Sequence, residues 1–307
     1  MNKRLSATDY ILSIVFIFLL VCIAGAFFFG FKIGTDKAEA RYSSLLKQYE
    51  DAADGPTAYE QQVLVSFYHT IFTPYREYQI QWFDKLDSIG LQNAAADPSS
   101  SMKALSKLAD DQYKLVQEAS IPANSPLLQE AQNNYMKSLR LFADTAKKYE
   151  SEANRLPART LLNEIENDPF FQEAKNFGLK AQHQYYESIL EWNKTVAEVH
   201  SADAAQQPEI PVPEWNGLPL NVKNAFVAGL LENQQAYSLY YPQDISLRID
   251  ELIATGQAGR MNLDAAGKIA EMLISTGAVR SGDFIQGKER WYSNETLPQI
   301  PFFFENK

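Results

Sequence analysis

The chain has 307 residues, which is enough for one or two domains, and its 46% hydrophobic and 21% charged residues are typical of a globular protein. The formal net charge of -10 argues against binding to nucleic-acid phosphates or to anionic lipid surfaces. The single cysteine, Cys22, excludes an intrachain disulfide and a zinc site built on cysteines.

The first predicted element is the apolar run 10–31, whose 22 residues carry no charge and are bracketed by Asp9 and Lys32. A helix of this length spans roughly 33 Å, which matches the hydrocarbon core of a bilayer. Because the run has no polar stripe to face water, the sequence predicts a single transmembrane helix rather than a buried core helix.

The same run has a second interpretation as a cleaved signal peptide. Lys3 and Arg4 precede it, and the small residues at 24–26 resemble an export cleavage site, so the protein would be secreted after cleavage near Ala26. Aromatic residues at 27–31 continue the apolar run beyond that site and favour the uncleaved anchor.

The orientation of the anchor rests on layout, because lysine and arginine flank both ends of the run and the positive-inside rule does not settle it. A short tail, 1–9, followed by one apolar run is typical of a signal-anchor, and the absence of cysteine downstream suits an exported bacterial protein. We expect the tail in the cytoplasm and the soluble region outside the cell membrane, with 32–55 as a polar stalk.

Residues 56–200 show helical periodicity throughout. Four amphipathic helices are expected there: one after a Thr57/Glu60 capping box with a kink at Pro74, one over 100–119, one capped by Ser125 and one started by Asp168-Pro169. Each helix must bury its apolar stripe, and the short connections predict antiparallel neighbours in a helical bundle. The stripe of the fourth helix begins at Phe170, and the stripe of the third is Leu128, Ala131, Tyr135, Leu139, Phe142, Ala146 and Tyr149.

A proline-rich segment, 201–218, is expected to be an extended linker to a small, mostly helical C-terminal module, 219–307. Short helices are predicted around 219–236, 243–255, 263–276 and 281–290, with Asn262 as an N-cap and Gly277 as a C-cap. Three phenylalanines, 302–304, either pack back onto their own domain or form a partner-binding tail. The expected fold class is therefore mainly α, with one transmembrane helix, a bundle of about four helices and this module.

No catalytic, cofactor-binding or metal-binding residue is predicted. The three histidines are far apart, and His69 and His183 lie off the apolar stripes, which predicts solvent exposure. The serine–lysine spacing of penicillin-recognising enzymes occurs at Ser44 and Ser100, but the companion motifs of those enzymes are missing. Carboxylate pairs are expected to face water: Asp110-Asp111, Glu164 with Glu166, and Asp250-Glu251.

The sequence favours a single-pass, membrane-anchored protein of the bacterial envelope, with a non-catalytic interaction or scaffold function toward another protein or wall material. One alternative is a hydrolase of envelope polymers, with a site at the junction of bundle and C-terminal module. A carboxylate-lined cleft near Trp215, Tyr240 and Trp291 would favour that alternative. The other alternative is an ectodomain that binds a small ligand. The identity of the partner, the biological process and the oligomeric state do not follow from the sequence.

Overall fold

The computed structural model describes residues 58–91, 97–197 and 201–304. These residues are mainly helical and form no β-strand, and they belong to one compact unit, Pro56–Lys307. The apolar run and the stalk lie outside the described residues. Within the described part of the chain, no helix combines the length and the apolar character needed to cross a membrane.

The helices before the proline-rich segment surround one long central helix. They are α1 (Gln61–Phe67), a π-helical turn (Tyr68–Phe72), α2 (Thr73–Gly90), α3 (Pro98–Glu118), α4 (Pro126–Glu150), α5 (Ala158–Glu166) and α6 (Pro169–Val196). The central helix, α4, packs against both α3 and α6. The predicted helices are present, and α5 is an additional short helix that the sequence pattern did not indicate.

The C-terminal helices pack around α8, which is buried on nearly all sides. They are α7 (Val212–Trp215), α8 (Leu220–Asn233), α9 (Pro242–Ala254), α10 (Gln257–Arg260), α11 (Ala266–Ser275) and α12 (Asp283–Trp291). Because α8 packs against both α6 and α9, it connects the helices on the two sides of the proline-rich segment.

The first predicted helix changes its hydrogen bonding at the expected place. The π-helical turn Tyr68–Phe72 ends directly before Thr73 and Pro74. Proline has no amide hydrogen for the carbonyl group one turn earlier, and a wider turn before it relieves that conflict. The proposed capping residue Thr57 lies outside the described residues.

The predicted N-terminal cap is confirmed for α6, whereas the predicted capping role of Ser125 at the start of α4 is wrong. The Asp168 carboxylate accepts hydrogen bonds from the backbone N–H groups of Phe170 and Phe171, at 2.8 and 3.3 Å. Ser125 precedes α4, but its side chain makes no capping bond and instead accepts the N–H of Tyr59 at 3.4 Å.

The predicted N-cap Asn262 is wrong, whereas the C-cap Gly277 is confirmed. Asn262 has a left-handed backbone (φ 56°), and α11 begins later, at Ala266. Gly277 also has positive φ (63°). The N–H of Ala278 donates to the Leu273 carbonyl at 3.0 Å, and the N–H of Gly277 donates to the Ile274 carbonyl at 3.1 Å. These bonds form a Schellman ending, for which glycine is favoured at this position.

Apolar stripes were predicted well for α4 and less well for α6. Every residue of the predicted α4 stripe is buried: Leu128, Ala131, Tyr135, Leu139, Phe142, Ala146 and Tyr149. On α6 the predicted inward residue Phe170 is 53% exposed, and its neighbour Phe171 is buried instead. Phe171 stacks on Trp82 of α2, so the register at the first turn differs by one residue.

The proline-rich segment is not extended throughout. It contains a 3₁₀ turn, Ala202–Gln206, and the helical turn α7. Ile210 and Trp215 are fully buried in a core with residues of α8, α9 and α11. The assignment of 201–218 as a linker between two domains stays a prediction.

The C-terminal phenylalanines pack back onto the molecule. Phe302 and Phe303 are buried, and the Phe302 ring contacts Tyr68 and Phe72 beside the π-helical turn, as well as Tyr186 of α6. The tail therefore closes an aromatic cluster that the first described helices begin.

Candidate functional site

The residues considered for chemistry in the sequence are mostly dispersed. Ser44 and His200 lie outside the described residues. The Ser100 hydroxyl donates to the Asp97 carboxylate at 2.6 Å, within the cap of α3. His69 is exposed as predicted, but His183 is half-buried, and its Nδ1 lies 2.7 Å from the Glu232 carboxylate. His183 therefore joins α6 to α8 rather than facing solvent.

The carboxylate pairs differ from one another in burial. Asp110 is exposed and lies 3.7 Å from Arg140, and Glu166 forms an ion pair with Lys175 at 2.6 Å. Asp250, which was expected to face water, is instead buried in α9. This correction locates the candidate site.

Asp250 is the acceptor at the centre of a buried polar network. Its Oδ1 accepts from the Trp215 indole N–H at 2.5 Å and from Lys223 Nζ at 3.0 Å. Its Oδ2 accepts from the same Nζ at 2.8 Å and from the Tyr292 hydroxyl. The network thereby joins α7, α8, α9 and the residue that follows α12.

A cleft of about 450 Å³ opens beside this network. Lys223, Asp250 and Tyr292 form its polar wall, and its remaining lining is Asn216, Leu218, Ile253, Ala254, Trp291 and Glu295. Trp215 donates to Asp250 within the network but does not line the cleft, and neither does Tyr240. The cleft lining thus has carboxylates and one of the three aromatic residues expected for an active site, Trp291, but the cleft lies among the C-terminal helices rather than at their junction with the bundle.

The polar wall is suited to holding a ligand rather than to exchanging protons with it. Burial raises the pKa of Tyr292 far above its ordinary value, and the nearby charge of Asp250 raises it further, so the hydroxyl stays protonated. Asp250 already accepts four hydrogen-bond contacts, which leaves it no free lone pair for a substrate proton. Burial also raises the pKa of Glu295.

The junction between bundle and C-terminal helices is closed. Its cavity of about 10 Å³ has room for a single water molecule. Arg76 is buried there, donates to Gln79 and to the carbonyl groups of Ser238 and Leu239, and lies 4.5 Å from the centroid of the Tyr241 ring. These contacts tie α2 to the loop before α9 and leave no space for a substrate.

Among the described residues, no group of three or more histidine, cysteine or acidic side chains could hold a metal ion. Neither a protein-family model, nor a curated protein, nor a solved structure matches this chain.

One feature of the sequence did indicate this site, although the carboxylate pairs alone did not. Residues 220–231 are mostly apolar, and this pattern predicts a helix that is buried on all sides. Lys223 is the one cation within them. A buried lysine requires a nearby acceptor, and Asp250 supplies it. Which carboxylate would do so depends on how α8 and α9 pack, and that does not follow from local sequence.

Proposed function

We propose that this chain is a single-pass, membrane-anchored component of the bacterial envelope that binds a partner without catalysing a reaction. The apolar run 10–31 is the anchor, the N-terminus is cytoplasmic, and the helical body lies outside the membrane. The observation that carries the non-catalytic part of this proposal is the bonding of Asp250. The lone pairs of this buried carboxylate beside the cleft are all occupied by internal donors, so none is left to accept a proton from a substrate.

Protease treatment of intact cells tests the anchor and its orientation. Loss of the body from the outside, with residues 1–31 retained in the membrane fraction by mass analysis, is the expected result. A protected body would contradict the orientation, and a mature N-terminus near position 27 would contradict the anchor.

A second candidate function is the binding of a small ligand in the cleft, which is favoured by its volume of about 450 Å³ and its mixed aromatic and polar lining. A thermal-shift screen with neutral and charged metabolites tests it. A ligand that raises the melting temperature of the wild type but not of Asn216→Ala would support it, because Asn216 is exposed at the rim.

A hydrolase of envelope polymers is less well supported, because Asp250 is saturated and Glu295, whose pKa is raised by burial, is then the single other carboxylate in the cleft lining. Turnover of a cell-wall polymer by the purified chain, abolished in Glu295→Gln, would favour the hydrolase over both binding functions.

A further inference from the structure

We propose that a surface groove across α3, α4 and α6 binds an acidic amphipathic helix of a partner protein. This inference rests on the proposed interaction function and names the surface and the chemistry of the partner. The groove encloses about 660 Å³ and is lined mainly by Tyr113, Met136, Lys137, Arg140, Leu141 and Phe177, with Asn133 at one end.

The apolar residues of the groove remain partly open to solvent. Tyr113, Met136, Leu141 and Phe177 are each half-buried, although the three helices that carry them are firmly packed together. Tyrosine, phenylalanine, methionine and arginine are the residue types enriched where proteins bind one another. The groove floor therefore has the composition of an interface core, and covering it would remove apolar area from water.

The charge of the groove selects the partner. Its lining holds two exposed cations, Lys137 and Arg140, and no carboxylate. Lys137 lies over the Phe177 ring, 5.0 Å from the centroid, and Arg140 is 3.7 Å from Asp110 in an exposed pair. In a chain with a net charge of -10, this basic spot attracts acidic side chains while the rest of the surface repels them.

The shape of the groove favours a helix as its occupant. The α4 residues that line it run from Asn133 to Leu141 and rise by roughly 12 Å, which is about two helical turns. An amphipathic helix places apolar residues at every third or fourth position on one face, and that face matches a floor of this length. Acidic residues beside that face would then meet Lys137 and Arg140.

A pair of synthetic peptides tests the proposal. Both are helix-forming peptides of about 15 residues, long enough for helix formation in water, with leucines on one face. One carries glutamates beside the leucines and its twin carries lysines at the same positions. Binding is measured by fluorescence anisotropy to the full chain in lipid nanodiscs, with empty nanodiscs as the blank. We expect saturable binding of the glutamate peptide and about tenfold weaker binding of the lysine peptide.

A charge reversal in the protein makes the test specific to the groove. The double variant Lys137→Glu/Arg140→Glu should weaken the glutamate peptide about tenfold and strengthen the lysine peptide. Lys107→Glu/Lys147→Glu is the matched control, because these exposed lysines lie on α3 and α4 outside the groove lining and change the net charge equally. It should change neither affinity by more than about twofold.

Three outcomes of the binding experiments would overturn the proposal. They are equal binding of the two peptides, no saturable binding of the glutamate peptide, and equal effects of the groove and control reversals. A wild-type dimer that the groove reversal converts to monomers in sedimentation would also overturn it, because the occupant would then be a second copy of this chain. None of these results bears on the anchor, which the protease experiment tests separately.

Discussion

At the scale of single residues, Lys223 and Asp250 form an ion pair in which both side chains are buried, at 7% and 9% exposure. Asp250→Asn leaves the lysine charge buried without a counterion and should lower the free energy of unfolding by about 3–5 kcal/mol. Lys223→Met/Asp250→Asn should recover part of that loss, because no uncompensated charge remains. Urea unfolding of both variants measures the difference.

The exposed pair Lys268–Asp264, at 2.7 Å, is the matched control for this prediction. Lys268→Met/Asp264→Asn replaces the same residue types where water solvates both groups, so the midpoint of unfolding should hardly move. An equal loss of stability in Asp250→Asn and in the exposed single variant Asp264→Asn would contradict the structural role given to Asp250.

Asp244 gives stability a predictable pH dependence. Burial raises its pKa from 3.8 to about 6, although the backbone N–H groups of Phe284 and Tyr241 favour the charged form. Between pH 3.8 and about pH 6, Asp244 is protonated in the folded chain and ionised in the unfolded chain. The contribution of Asp244 to stability is therefore fully present below the lower value and is lost as the pH rises through about 6, by up to about 3 kcal/mol.

Asp244→Asn isolates this contribution, because all other titrating groups are shared with the wild type. The difference in unfolding free energy, wild type minus variant, should fall between about pH 4 and pH 6 and stay constant above pH 7. Parallel stability curves across this range would show that the Asp244 pKa is not raised.

At the scale of elements, Gly178 leaves room for the Tyr75 side chain of α2 to lie against the backbone of α6. A Cβ added there would overlap the Tyr75 hydroxyl and lie 2.9 Å from its Cζ. That hydroxyl is already hydrogen-bonded to Ser138 and Tyr237, each at 2.9 Å, so it has little freedom to move.

Gly178→Ala should therefore destabilise the fold by about 1–3 kcal/mol, although alanine is intrinsically the better helix former by roughly 1 kcal/mol. Gly259→Ala is the control, because an added Cβ there meets nothing within 4 Å. Its melting temperature should stay the same or rise. A stabilising effect at Gly178 would mean that the two helices are less closely packed than described.

At the scale of the whole molecule, Phe302 links the C-terminal tail to the first helices. Its ring centroid lies 5.5 Å from Tyr68, 5.7 Å from Phe72 and 5.8 Å from Tyr186. Phe302→Ala should lower the free energy of unfolding by about 3–5 kcal/mol. The variant should still unfold in one transition, with the same midpoint by circular dichroism and by tryptophan fluorescence.

Phe304→Ala is the matched control for the tail. This ring is half-exposed, and its centroid lies 3.9 Å from Lys288 Nζ. Its loss should therefore lower the free energy of unfolding by only about 1 kcal/mol. If Phe302→Ala had no larger effect than Phe304→Ala, the tail would not be part of the core.

Local pattern explains why the helices of this fold could be predicted and the candidate site could not. The α4 stripe and the Asp168 cap are encoded within one or two turns, so periodicity and capping rules find them. The short helix α5 is amphipathic, but its 9 residues are too few turns to establish a helical period. Asp250 looked like a surface carboxylate because its burial depends on Lys223, 27 residues earlier in the chain, and on the packing of two helices.

The aromatic cluster closed by Phe302 also constrains how the protein is made. Phe302 and Tyr68 are in ring contact although more than two hundred residues of chain separate them. During synthesis, the first helices emerge with one side of this cluster uncovered, and they stay so until residue 302 has left the ribosome. Contacts between such distant residues form late and slow the completion of folding. We therefore expect the nascent chain to expose the aromatic rings beside the π-helical turn, which makes this segment the natural binding site for a chaperone.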